Sequence, residues 1–504
     1  METFSLDDPI MELASSTEQY QWTTREAVQG LFCCGGLGAG KTTGTGRQMA
    51  LRFLSKKFGG LVMTAKPDEK DVWINYCKLT GREDDLIVIE PRGKYYLNFL
   101  QYEASQTDGK NELTDNLVDV LKTVIQAGVE KDSGMSNDGF WESALDMLIF
   151  NVIDLCRLAY GKVSIQEMYN IVQTIPKGDP KIDLSSDDGE IKAFDKAFQA
   201  ARDNITIKID SWMSNLSDKE RTEIITNDNL ENEMLDGVPE YRLLKFLDQF
   251  FIDTYITLSD KTRSIIDFTF SGFLFRLLRE PVYSLFCRHD LSTVTPEDSL
   301  KGKIILINLP VKVYHKVGRD CQILFKYIWQ RAMEKRNVTE NSRPVFLWAD
   351  EAQNFIHEHD VDFQATARSS RICTVYLTQN LPNLYASMGG KQSEYKVKSF
   401  LGTLATKIFH ANADIETNRY ASELIGDSFF EDQSDSITVA KNVSHTRGRS
   451  FKLERVVRPE QFISLKTGGP KNNFKVEGYM HRQGDVIMNG DNHIKMNFNQ
   501  FYQP

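Results

Sequence analysis

Between Gly35 and Thr42 the chain reads GGLGAGKT, a Gly-x-x-x-x-Gly-Lys-Thr spacing whose residue types suit phosphate binding. Glycines at Gly35, Gly36, Gly38 and Gly40 let the backbone take positive φ and turn its N–H groups toward an anion with no Cβ in the way. Lys41 can then reach the β- and γ-phosphates of a nucleotide, and Thr42, with Thr43 beside it, can offer a hydroxyl to Mg2+. The N-terminus of a following helix favours the same negative charge. Chance alone would place such a pattern in roughly one chain in fifty of this length, so the flanking elements have to decide. AVQGLFCC ahead of the loop reads as a short apolar strand. RQMALRFLSKKF behind it reads as a helix with Met49, Ala50, Phe53 and Leu54 as its apolar positions. Gly44 and Gly46 fit that helix poorly, since each costs about 1 kcal/mol relative to alanine. Close packing on a sheet or a neighbour is the expected compensation.

A phosphate loop needs a second, acidic element to hold the metal and orient water. RPVFLWADEAQNF supplies it. Val345–Ala349 is a continuous apolar run, as in a strand buried on both faces of a parallel sheet. Asp350 and Glu351 follow at its C-terminal end, where α/β sheets place ligands. Asp350 is expected in the magnesium shell and Glu351 as the group that polarises the attacking water; the competing reading is an acidic helix N-cap. Together the two motifs predict an ATP-hydrolysing site with ATP and Mg2+ as cofactors.

Other chemistries find less support. His357 and His359 in HEHD alternate rather than standing at i, i+4, so a polar loop or helix start is the expectation there, not a metal site. The seven cysteines (33, 34, 77, 156, 287, 321 and 373) form no C-x-x-C pair and read as reduced, buried side chains. There is no G-x-S-x-G elbow, and no second acidic constellation that would mark a built-in nuclease.

The elements that must position these residues alternate along the chain. GGLVMTAKPDEK, DDLIVIEPRG, GKIILINLP, VFLWADE, ICTVYLTQN and TKIFHAN read as strands, separated by helical patterns such as RDCQILFKYIWQRAMEK and DIETNRYASELIG. Such alternation implies right-handed βαβ crossovers and an α/β fold with one mostly parallel sheet. Between 103 and 295 apolar residues recur at helical spacing with few strand signals, predicting an inserted all-α domain with a polar, acidic excursion at 177–238. The expected organisation is an N-terminal extension (1–28), a discontinuous nucleotide-binding domain (29–102 and 296–428), the insertion (103–295), and C-terminal strands and loops packed on the core (429–504). Within that tail KNVSHTRGRSFK is the most basic local stretch; a solvated hairpin is the favoured reading over a contact with a phosphate backbone.

The 504 residues carry 41% apolar and 26% charged side chains, ordinary for a globular protein, and a net charge of −10, which gives no global footprint of nucleic-acid binding. The acidic start METFSLDDPIMELASS lacks the basic and apolar regions of a signal peptide, and no window approaches the ~20 apolar residues of a membrane span. A cytoplasmic protein is expected, peripheral at the inner membrane only through a partner.

In their order the motifs resemble the conjugative coupling proteins of type IV secretion (TraG/TraD-like), within the HerA/FtsK branch of RecA-like motor ATPases. GGLGAGKTT is followed by TAKPDEK, VIEPRGKYYLNFL, FWESALDMLIF, KGKIILINLP, FLWADEAQNF, ATARSSRICTVYLTQNLPNLYASMG, TKIFHANADIETNRYASELIGD and RPEQFISLKTG. The resemblance implies a RecA-like fold and a hexameric ring that moves DNA through a channel, with a relaxase, secretion component or nuclease as protein partner. It implies that Gln379 senses the γ-phosphate from a strand end, and that Arg368 or Arg371 is presented to the neighbouring subunit, Arg368 being favoured by its spacing to Gln379. Coupling proteins typically carry membrane helices that this sequence lacks. A soluble motor, or alternatively an ATP-gated assembly scaffold or a motor subunit of a DNA-processing or antiviral complex, is the functional expectation.

Overall fold

The computed structural model describes residues 3–14, 18–106, 112–129, 139–176, 191–226, 230–289, 291–357, 359–388, 392–439 and 443–504. They form two compact units. One is built from Met1–Ile89 and Pro296–Pro504, the other from Glu90–Val129 and Ser133–Thr295.

The first unit is organised by a nine-stranded sheet. Its strands are β3 (Leu31–Cys34), β4 (Gly59–Met63), β5 (Leu86–Ile89), β6 (Ile304–Ile307), β7 (Val345–Ala349), β8 (Ile372–Thr378), β9 (Thr406–His410), β12 (Lys475–Arg482) and β13 (His493–Asn499). The order across the sheet is β13-β12-β9-β3-β8-β7-β4-β6-β5. The seven strands from β9 to β5 pair in parallel, whereas β12 and β13 add to the β9 edge antiparallel. Every residue of β3, β4, β6, β7, β8 and β9 is buried. Helices cover both faces of such a sheet, which is why these strands read as continuous apolar runs rather than as alternation. The fold class is therefore the expected α/β one with a mostly parallel sheet.

The order fixes which loops meet. β8 lies between β3 and β7, with Cys34 paired to Thr378 and Ala349 to Tyr376. The loop after β3, Gln379 after β8 and Asp350-Glu351 after β7 all leave the same end of the sheet. On the far side of β7, Met63 of β4 pairs with Ala349, so the residues after Met63 run beside the acidic pair.

The amino-terminal residues are more than an extension. β1 (Pro9–Ala14) and β2 (Gln19–Thr23) form a hairpin that feeds a short helical turn, Thr24–Ala27, through a capping box on Thr23 and Glu26. Met11 and Trp22 are buried in the core. Trp22 stacks on Phe53 and donates its indole N–H to Thr406 Oγ1 at 3.1 Å.

The tail divides. β12 and β13 join the central sheet. β10 (Asp427–Val439) and β11 (Val443–Arg455), among the described residues, instead pair only with each other, in a ribbon whose Phe429, Phe430, Phe451 and Leu453 are exposed. The expectation of core packing is corrected for this ribbon. Phe429, Phe451 and Leu453 share one face with Glu431, Asp435, Arg447 and Arg449, and Phe430 shares the other with Asp432 and Lys452, so both faces carry charge among the apolar side chains. The basic stretch lies on its second strand as a hairpin arm, with Lys441 outside the described residues.

Among the described residues the second unit contains helices and turns only, including Glu112–Val129, Gly139–Tyr160, Ala193–Asn215 and Asp260–Leu277. Their buried stripes, with Leu148, Val152, Phe198, Phe251 and Phe270 among them, make its own core. Of the acidic excursion, residues 177–190 lie outside the described residues; beyond them the chain is helical over Ala193–Asn215, Asp218–Thr226 and Leu230–Gly237. No helix among the described residues is long and apolar enough to cross a membrane.

Candidate functional site

The glycine-rich loop leaves β3 anchored to both neighbouring strands. Gly35 N–H donates to Thr378 O at 3.2 Å and Gly36 N–H to Ala411 O at 2.8 Å. Gly38 and Gly40 take φ of 71° and 82°, the left-handed region open to glycine. Behind the loop a π-helical turn, Thr42–Gly46, runs into the helix Arg47–Ser55. This accounts for the two ill-fitting glycines. A Cβ on Gly44 would stand 3.1 Å from Val476 and 3.4 Å from Phe498 Cβ, and one on Gly46 3.2 Å from Leu377 and 3.6 Å from Trp348. The turn is pressed onto the sheet, Gly44 against the antiparallel hairpin and Gly46 against β7 and β8.

The acidic strand end meets this loop. Thr42 Oγ1 donates to Asp350 Oδ2 at 2.8 Å, and Asp350 Oδ1 accepts the Glu351 N–H at 2.9 Å. Glu351 holds a left-handed backbone, φ 52° and ψ 51°, uncommon for a residue with a side chain. That turn brings its carboxylate to Lys66 Nζ at 3.0 Å and Lys41 Nζ at 3.6 Å. Gln353 Nε2 donates to Glu351 Oε2 at 2.9 Å and Gln379 Nε2 at 3.2 Å. Burial alone would raise the Glu351 carboxyl, but the charge of Lys41, the Gln353 bond and Lys66 outweigh it and bring it down to about 2. Glu351 is thus held firmly as a carboxylate. The same strand end continues through Thr378, whose Oγ1 donates to Gln353 Oε1 at 2.9 Å.

A cleft of about 920 Å3 opens here, with Gly36, Gly38, Gly40, Lys41, Thr42, Thr43, Glu351 and Gln379 among its walls. The sequence pattern had not marked its other walls. Lys66 follows β4, and Lys312, His315, Lys316 and Arg319 come from the first turns of Val311–Glu334, a helix broken at His315 with φ 50° and ψ −132°. Gln500 closes the loop from the carboxyl end: its Nε2 donates to Thr43 Oγ1 at 2.7 Å, and its Oε1 accepts the Gly469 N–H at 2.7 Å. A strand-end rule applied to TAKPDEK would have found Lys66; nothing local to FNQFYQP marks Gln500.

A second layer holds the loop from behind. His410, wholly buried at the end of β9, joins Thr45 Oγ1 through Nε2 and Glu477 O through Nδ1, both at 2.8 Å. Burial, with Lys41 nearby, drops its imidazole to about 4 despite the Glu477 carbonyl, so it is neutral and bridges the helix turn to β12. Asn412 Nδ2 donates to Gln379 O at 2.8 Å. Cys33 and Cys34 are buried, and burial pushes the Cys34 thiol up to about 12, far from a thiolate.

The arginines stand elsewhere. Arg371 and Arg368 are at the N-terminal end of β8, opposite Gln379. Arg371 donates to Phe4 O at 2.7 Å and Ser342 O at 2.9 Å through one nitrogen, binding the amino terminus to the β7 approach. Arg368 is exposed beside it. HEHD opens the helix His359–Ala367, and its Asp360 accepts from Lys326 Nζ at 2.5 Å in a fully buried pair, with Lys326 also on Phe355 O at 2.7 Å. Among the described residues no group of three or more His, Cys, Asp or Glu is placed to hold a metal.

Comparison with known proteins bears on this arrangement. A family model described as the TraM recognition site of TraD and TraG matches residues 344–467, from the strand bearing Asp350 through the ribbon. The fold matches the bacterial conjugative coupling protein TrwB in its unbound monoclinic form at a TM-score of 0.59, 14% identical, over 98% of this chain and 89% of that one. The chain resembles the TraG/TraD-like coupling proteins. TrwB in complex with ADP and Mg2+ matches at 0.57, 13% identical, over 96% and 88% of the two chains. TrwB in complex with the GTP analogue GDPNP matches at 0.55, 13% identical, over 96% and 89%. No curated protein matches by sequence.

Proposed function

We propose that this chain is an ATP-hydrolysing motor of the coupling-protein kind, working as a ring, hexameric by resemblance, that moves DNA. The observation that carries the reading is the Thr42 hydroxyl on Asp350 at 2.8 Å with Lys41 and Glu351 beside it. The residues fit the nucleotide and its metal. Positive-φ glycines make a loop open to phosphate, Lys41 is a nearly buried ammonium, and a hydroxyl with a carboxylate is the hard oxygen set that Mg2+ prefers. TrwB, of the same fold, was solved with ADP and Mg2+.

In this reading the loop N–H groups and Lys41 hold the phosphates, with Thr42 and Asp350 holding Mg2+. The metal, when bound, would neutralise negative charge on the phosphates. Glu351, kept ionised, accepts a hydrogen bond from the attacking water and aligns it, while Gln379 fixes the carboxylate and reports on the γ-phosphate. Arg368, exposed at the opposite end of β8, is the arginine free to meet a neighbouring subunit; Arg371 is committed to two carbonyls of its own chain. The match of residues 344–467 to a segment named for recognition of TraM supports a protein partner, and a cytoplasmic motor docked through that partner accords with the resemblance.

Mg2+-dependent ATP hydrolysis, measured with and without single- and double-stranded DNA, tests the reading. Turnover should rise with DNA and fall at least a hundredfold, about 3 kcal/mol in barrier, in Lys41→Ala and Glu351→Gln. Native mass measurement should show rings with an ATP analogue. Hydrolysis indifferent to any DNA would count against a DNA motor. Very slow turnover with a partner captured only in the ATP form would instead favour the gated scaffold.

A further inference from the structure

Lys66 stands where a second ammonium would be needed if the site distinguishes three phosphates from two. It lies three residues beyond β4, alongside Asp350-Glu351, and its Nζ is 3.0 Å from Glu351 Oε1. Its backbone is fastened from both sides. Glu69, itself buried, accepts the Ala65 N–H at 2.7 Å and the Lys66 N–H at 3.2 Å through Oε2. Lys312 N–H donates to Ala65 O at 3.0 Å, and Thr64 is held by Gln322 Oε1 at 2.7 Å. The Lys66 side chain, by contrast, is 37% exposed and lines the cleft shared with the glycine loop.

Glu351 receives two ammoniums and two amides, more donors than a carboxylate needs to stay ionised. Lys41 is fixed by the loop it belongs to. Lys66, on a four-carbon stem, can exchange one anion for another without moving backbone. On the reading proposed above, we infer that Lys66 is a positioning residue that senses the third phosphate: its ammonium restrains Glu351 until a γ-phosphate takes it, and the transfer leaves the carboxylate free to align water. A diphosphate brings no oxygen to that place, so Lys66 stays on Glu351. The buried Glu69 carboxyl, which has no partner for Oε1, then serves as the peg that keeps the Lys66 backbone still during the exchange. Burial, and Asp350 nearby, raise that carboxyl to about 8, above the ordinary range, while the two backbone N–H groups pull it down.

The test uses the full chain and fluorescent forms of ADP and a non-hydrolysable ATP analogue, each with Mg2+. Lys66→Met should weaken the triphosphate about tenfold or more, the value of a charge-assisted hydrogen bond, while ADP stays within about twofold. Lys66→Arg should recover part of the difference. In the wild-type chain, acylation of Lys66 followed by mass spectrometry should be slowed by the ATP analogue and not by ADP. Equal changes for both nucleotides, or no change, overturn the role of Lys66, as does labelling that does not tell the two apart. A wild-type chain that binds neither nucleotide overturns the motor reading itself, so the two failures are distinguishable.

Discussion

The carboxyl-terminal quarter holds two antiparallel hairpins built from similarly alternating sequence. β12–β13 adds to the sheet edge at β9, with Val476, Met480 and Phe498 buried, and forms the wall against which the phosphate loop turns. Among the described residues β10–β11 pairs with no other strand and leaves Phe429, Phe451 and Leu453 in solvent. What separates them is the face each can offer. β12 presents Val476, Gly478 and Met480 among its inward residues, with Gly478 paired to His410, whose ring would meet any Cβ placed there at 2.8 Å. The ribbon carries charges on both faces among its apolar side chains, and an isolated two-stranded hairpin has little to stabilise it. A site can thus depend on a strand far away in sequence while a nearer strand contributes nothing to it.

The contrast can be broken by mutation, most forcefully at Phe498. Phe498→Ala should cost about 3–5 kcal/mol in urea unfolding and loosen nucleotide binding with it, because the emptied volume lies beneath Gly44. Acid should attack the same junction. The folded His410 imidazole sits at about 4, below its ordinary 6.5, so the unfolded chain binds the extra proton. Stability is complete above about pH 6.5 and falls as pH drops toward 4, by on the order of 3 kcal/mol for this residue. His410→Gln should flatten that part of the pH–stability curve; an unchanged slope would remove His410 as its source.

A smaller effect sharpens the contact itself. Gly44→Ala should destabilise by about 1–2 kcal/mol in the native background and by less beside Val476→Gly, which removes both Val476 atoms, Cβ and Cγ2, that stand 3.1 Å from the added methyl. Equal costs in both backgrounds would show that the π-helical turn, not the hairpin, demands glycine. On the ribbon, Phe451→Ser should move stability by no more than about 0.5 kcal/mol. A loss there comparable with Phe498→Ala would mean the two hairpins do not differ as described.

Much of this was legible in sequence. The runs LFCC, VFLWA and ICTVYLT are strands over nearly the residues their apolar stretches mark, because burial on both faces leaves no polar position to blur the signal. The hairpin Pro9–Thr23 was missed: its short alternation sits in an acidic stretch, and Trp22 reveals its role only through the distant Phe53 and Thr406. At the loop and the acidic strand end, Lys41, Thr42, Asp350 and Glu351 are recognisable because their spacing follows from local geometry, a loop into a helix and a strand end. Gln500 is not, and although Lys66 follows a strand end, its place beside Glu351 rests on β4 lying next to β7. Arg368 and Arg371 are three residues apart in one motif, yet only the second is bound to Phe4 and Ser342, a contact set by where the amino terminus comes to rest.

By itself the sequence determined an α/β sheet with an inserted helical region, a loop able to turn N–H groups toward phosphate, and an acidic pair at a strand end. These rest on periodicity and on the φ freedom of glycine, which act over a few residues. The tertiary structure alone decided that β8 enters between the two motif strands and carries Gln379 to Glu351. It alone brought the residues after β4 against the acidic pair, and one hairpin behind the loop while the other stayed outside. Strand order and edge pairing are chosen by shape and burial summed over the whole sheet, a quantity no short window of sequence contains.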